Sequence, residues 1–195
     1  MQSQSLAARD LINIGVFTAV YFVIIFASGF IGIVGPWAMF LGFFIGALLG
    51  GPVLVLLSVR CAKVGTMALL GLLVAILMVL TGHFWGLLIV LPLLGLAFDL
   101  IVQAGSRGRL SAAVGYALFS LWYVVPLVPI FYSADAYFAD IASSMGPEYA
   151  AGMRALFTPT IIVVFGAAIA AVAFLSGLFG AKLLTKHFTR AGLAA

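Results

Sequence analysis

The side chains in this sequence best able to hold a small molecule are one histidine, four aromatic residues and two carboxylates. His83 and Trp85 lie in Thr81-Gly82-His83-Phe84-Trp85, a Gly-marked turn between two long apolar runs. An imidazole there can contact a ligand, bind a metal or accept a proton, or it can serve as an interfacial side chain bonded to a loop carbonyl. The indole belongs either to a ligand pocket or to the aromatic belt found at membrane–water boundaries. Trp37, Tyr132 and Tyr137 lie beside the other two breaks on the same side of the pattern. Asp135 and Asp140 accompany them, and can attract a cationic or metal-chelate ligand or form a solvated loop surface. The candidate substrate contacts are therefore His83, Trp85, Trp37, Tyr132 and Tyr137, in that order, with Asp135 and Asp140 beside them.

Two further constellations stand apart. Asp99 falls inside an apolar run, where an acid is either functional or ion-paired. A structural pair with Arg107 is the preferred reading, with Arg60 and Lys63 at the same depth. Gly15 and Ala19 form a small-xxx-small pair that allows another backbone to approach closely. They predict either internal packing or a groove onto which a second membrane protein docks. Gly42, Gly46 and Gly50 repeat the same spacing and are read as internal packing.

Several chemistries are not written in the chain. It has no Gly-rich loop ending in Lys-Ser/Thr, so ATP hydrolysis by that route is not expected. It has no HExxH sequence and only one cysteine, Cys61, so neither a cysteine-paired zinc site nor an intrachain disulfide is expected. Ala104–Gly108 resembles a nucleophile turn only loosely and has no histidine nearby. No metal ligand set and no cofactor of this chain is expected.

The elements that must position these residues are membrane helices. Of 195 residues, 66% are apolar and 7% charged, against about 25% charged in soluble domains. Mean hydropathy is +1.33. Such a chain cannot cover its surface in water. The apolar runs predict an all-α integral membrane protein of six transmembrane helices, near 11–33, 37–59, 64–80, 84–103, 110–132 and 158–184. They form a single domain over 1–195, with a long outer loop, 133–157, acting as a lid. Within that loop, Asp135–Met145 and Glu148–Phe157 read as short helices separated by Gly146-Pro147. No cleavable signal peptide is expected, because the first run is too long.

Charge sets the orientation. Arg9, Arg60, Lys63, Arg107, Arg109, Lys182, Lys186 and Arg190 all fall on one side of a six-helix arrangement, leaving only Arg154 on the other. The positive-inside rule makes that side cytoplasmic, with both termini there, and places the protein in the cell (cytoplasmic) membrane. The net charge of +4 is thus a topology signal, and no nucleic-acid partner is expected.

The pattern resembles a known group. Six helices with both ends inside and a small-xxx-small pair on the first are similar to the substrate-binding S component of energy-coupling factor (ECF) transporters. More specifically, the chain resembles the Trep_Strep group, which is classed with them. The residues that carry this are Gly51-Pro52, Lys63, Gly65, Gly71, Gly82-His83, Trp85, Gly95, Ala97 and Asp99. The match is good over about residues 10–110 and rests on hydropathy alone beyond. Two departures are that Gly15-xxx-Ala19 replaces Ala-xxx-Ala, and Asp99 replaces the group's usual Glu. The resemblance implies an S component that captures a small micronutrient (vitamin-like, haem-like or metal-chelate). It docks through Gly15 and Ala19 onto a T component, and two partner ATP-binding subunits, not this chain, use ATP. The reading from another class is a non-transporting assembly protein or a small intramembrane enzyme.

Overall fold

Prolines and glycines punctuate the apolar runs. Pro36, Pro147 and Pro159 each open a helix, where the missing N–H costs nothing and the fixed φ suits the first turn. In the computed structural model, which describes residues 5–190 with side chains as far as Leu184, the order is α1 (Ala8–Gly29), α2 (Pro36–Arg60), α3 (Thr66–Leu80), α4 (Leu87–Ala104), α5 (Arg109–Phe119), α6 (Ala134–Met145), α7 (Pro147–Leu156) and α8 (Pro159–Arg190). Short 3-10 segments extend α1 over Phe30–Val34 and α5 over Ser120–Phe131. No strand occurs among the described residues. The Lys186 and Arg190 side chains lie outside the described ones.

Five stretches are long and apolar enough to cross a membrane: Ala8–Val34, Pro36–Arg60, Leu87–Ala104, Arg109–Phe131 and Pro159–Leu184. The third expected span is the short one. α3 has 15 residues, about 22 Å at the helical rise, against a hydrocarbon thickness of about 30 Å. It starts at Thr66 because Gly65 sits at φ +96°, and it ends ahead of Gly82 at φ +91°. The fourth helix starts at Leu87 rather than Phe84, since His83–Gly86 is spent on the turn. The fifth expected helix is only half α-helical. Pro126 and Pro129 carry no N–H, and the chain tightens into 3-10 winding through its second half.

The helices close into a ring. α1 packs on α2, α2 on α8, α8 on α5, α5 on α4, α4 on α3, and α3 returns to α1. Small residues set the close approaches. At Gly71 of α3 an added Cβ would meet the Leu91 carbonyl oxygen at 2.6 Å, and at Gly95 of α4 it would press on the backbone of Met67. This reciprocal pair draws α3 and α4 together. Phe98, Phe119, Tyr21 and Tyr116 fill the interior.

Candidate functional site

The turn between α3 and α4 is built on one carbonyl. Met78 O, at the end of α3, receives the backbone N–H of Thr81 and of His83, both at 3.1 Å, and the Thr81 hydroxyl at 2.7 Å. His83 Nδ1 also lies 3.1 Å from this oxygen, so it carries the proton and donates. The imidazole is therefore a cap for α3. Burial pulls its pKa below the usual value, and the Met78 bond acts the other way.

The other outer candidates face outward. Trp85, Trp37 and Tyr132 are 62%, 64% and 68% exposed. Among the described residues, no ring contact or hydrogen bond joins them to one another. Phe84 covers one side of Trp85 at 5.4 Å. Their placement suits an aromatic girdle at the boundary of the apolar surface.

The lid region brings a different set together. Asp135 accepts a 2.6 Å bond from Arg154 of α7, whose guanidinium lies 4.9 Å from the centre of the Phe138 ring. Tyr137 is half-buried against Phe138, and burial pushes its phenol up to about 12. Asp140 stays exposed. Tyr149 of α7 donates to Gly32 O at 2.8 Å, latching the α6–α7 pair to the connection between α1 and α2. Burial also raises the Tyr149 phenol pKa. The sequence reading left Tyr149 and Arg154 out of the site, although both stand in the same outer segment as the acids.

A polar seam inside the ring was missed altogether. Trp122 donates to Tyr21 Oη at 2.9 Å, Tyr116 to Ala47 O at 2.7 Å and Ser176 to Leu48 O at 2.6 Å. Thr18 Oγ1 and Tyr123 Oη are buried without a hydrogen-bond partner. The signal available was a set of polar-tipped aromatics inside apolar runs.

At the opposite end, the geometry corrects the reading of Asp99. It is 8% exposed and makes no ion pair with Arg107. Its carboxylate accepts from the backbone N–H of Gly65 at 2.9 Å, of Met67 at 3.0 Å and of Ala68 at 3.4 Å. The first turn of a helix has unpaired donors and a partial positive charge, which together satisfy an anion better than a flexible surface cation does. Arg107 instead donates to Ala62 O at 2.8 Å. The ion pair at this end is Lys63 with Asp10, at 2.8 Å. These residues, with Ser58, Arg60, Cys61 and Gln103, line a cleft of ≈ 290 Å³. Burial pushes the Cys61 thiol pKa up.

The two rows of small residues part company. The row on α2 is consumed. An added Cβ would press on Ser28 O at Gly42, meet Tyr123 Oη at 2.7 Å at Gly46, and meet the Tyr21 ring at 2.6 Å at Gly50. The pair on α1 is free. Gly15 has open space where a Cβ would stand, and Ala19 is exposed. Ile12, Val16, Val20 and Val23 flank them, each 45% exposed or more.

A family model described as a hypothetical bacterial integral membrane protein, Trep_Strep, matches residues 8–190. No curated protein and no solved structure matches the chain.

Proposed function

The chain belongs to the Trep_Strep family of bacterial integral membrane proteins, and from that premise we propose that it is the substrate-binding S component of an ECF importer. In this reading all six apolar helices span the cell membrane, α3 obliquely bracketed by its longer neighbours. The end bearing Arg9, Arg60, Lys63, Arg107 and Arg109 is cytoplasmic, as are both termini. The substrate is a small micronutrient, vitamin-like, haem-like or a metal chelate. It is taken up at the outer end, beneath the α6–α7 cap, with His83, Trp85, Trp37, Tyr132, Tyr137, Asp135 and Asp140 as candidate contacts. A T component and two ATPases power release, and the chain is not itself an enzyme.

The observation that carries the proposal is the contrast between the two small-residue rows. The glycines of α2 are filled by the protein's own side chains and backbone. Gly15 and Ala19 face outward, with nothing of this chain in front of Gly15. A small-residue surface left open on a membrane helix favours close packing by a second helix. The enzyme reading loses support because the acid within α4, Asp99, already has its oxygens engaged by backbone donors.

The test is co-purification from native membranes. Wild-type protein should bring down a T component with its ATPases, and Gly15→Leu or Ala19→Leu should lose them while keeping wild-type thermal stability. Native mass spectrometry of the same preparation should show a small molecule at near-equal stoichiometry. Unchanged co-purification of both variants would overturn the docking assignment.

A further inference from the structure

We infer that the cleft between the ends of α2, α4 and the α4–α5 turn binds the phosphate of an anionic phospholipid. Three cations and two carboxylates line this cleft of ≈ 290 Å³. The carboxylates are already committed, Asp10 to Lys63 and Asp99 to the start of α3. Arg60 has no partner among the described residues. Arg107 has one hydrogen bond, from Nη2 to Ala62 O, although a guanidinium carries five N–H donors. Two guanidiniums thus remain without a counter-ion around one concavity, which is the arrangement that recognises a phosphodiester.

The turn that presents Arg107 is unusual. Ser106 and Arg107 adopt φ of +51° and +58° in succession. Two adjacent left-handed residues with side chains are unfavourable, and such conformations persist where the surroundings hold them for a purpose. Here the Arg107 N–H donates to Val102 O at 2.8 Å and its side chain reaches back to Ala62. The strained turn fixes the guanidinium at the rim of the cleft.

The surroundings select a lipid over a free anion. On α4 the exposed residues Leu93, Leu96 and Leu100 run at helical spacing toward Gln103, which lines the cleft. An acyl chain lying along that stripe delivers its headgroup to Arg60, Gln103 and Arg107. Basic pockets at the ends of membrane helices suit such headgroups. This inference requires only that this end of the bundle lie at headgroup depth. It is independent of the transport role.

The test is native mass spectrometry of the delipidated full chain titrated with phosphatidylglycerol. Phosphatidylcholine of the same acyl chains is the control, and inorganic phosphate the competitor. Phosphatidylglycerol should bind about tenfold more tightly than phosphatidylcholine. R60Q/R107Q should abolish the difference. R109Q should keep it, because Arg109 does not line the cleft. The single variants R60Q and R107Q should each reduce it, and they carry the test should the double variant fail to fold. Equal binding of the two lipids, or a preference that survives the cleft variants, overturns the proposal. Displacement of phosphatidylglycerol by millimolar inorganic phosphate overturns the lipid assignment and gives the cleft to a free anion.

Discussion

Asp99 Oδ2 lies 2.9 Å from the Gly65 amide nitrogen and 3.0 Å from that of Met67, so a carboxylate of α4 closes the first turn of α3. The two helices are thereby joined at one end by a cap and along their length by the Gly71–Gly95 approach. Asp99→Ala strands these donors in a nearly dry place. It is expected to lower stability by about 1–3 kcal/mol in detergent. Asp99→Asn keeps an acceptor oxygen and should cost less. Arg107→Gln, which leaves the cap intact, should not reproduce the Asp99→Ala loss. Thermal unfolding of the three variants separates a cap from an ion pair.

The His83 imidazole makes stability depend on pH. Its folded pKa lies below the ordinary 6.5 because burial disfavours the charged ring. The unfolded chain therefore binds the proton more readily, and stability falls as pH drops from 6.5 through the folded value. Above 6.5 the imidazole contributes fully. Unfolding curves between pH 7.5 and about 5 should shift to lower temperature in the wild type. His83→Gln should show less of this shift over the same range. An identical slope in the variant would remove His83 as the cause.

The outer cap should be held by its buried hydroxyl more than by its ion pair. Tyr149→Phe removes the bond to Gly32 O. It is expected to cost about 1 kcal/mol locally and to speed amide hydrogen exchange in α6 and α7. The Arg154–Asp135 pair is short, but the Asp135 side chain is 95% exposed. Solvent screening leaves such a pair little net worth. Asp135→Asn should therefore leave exchange in both helices near the wild-type rate.

Much of this architecture was legible in the residues. Long uncharged runs marked the helices, and Gly146-Pro147 marked the break between α6 and α7. What could not be read has specific causes. An acid within an apolar run invites an ion pair, and Arg107 lay near in sequence. The donors that took Asp99 belong to the backbone of another helix, which has no signature of its own. The 3-10 winding of Ser120–Phe131 hides because its residues are as apolar as a regular helix, and only Pro126 and Pro129 hint at it. His83 and Trp85 are neighbours in sequence, but the imidazole turns back onto Met78 O while the indole is exposed. Spacing alone does not reveal that divergence.

The glycines of α1 and α2 should respond oppositely to the same small change. At Gly42 of α2 a Cβ presses on the Ser28 carbonyl oxygen, and backbone cannot move aside as a side-chain tip can. Overpacking of that kind costs about 1–3 kcal/mol, more than the ~1 kcal/mol that alanine gains over glycine within a helix. Gly42→Ala should therefore destabilise the protein. At Gly15 of α1 nothing stands within 4 Å of the added Cβ, so Gly15→Ala should be neutral or stabilise slightly. Denaturation of both variants in mixed micelles reads the difference directly. If Gly15→Ala instead destabilised the isolated chain as much as Gly42→Ala, the α1 face would be an internal contact, and the docking surface proposed for a T component would have to be sought elsewhere on the ring.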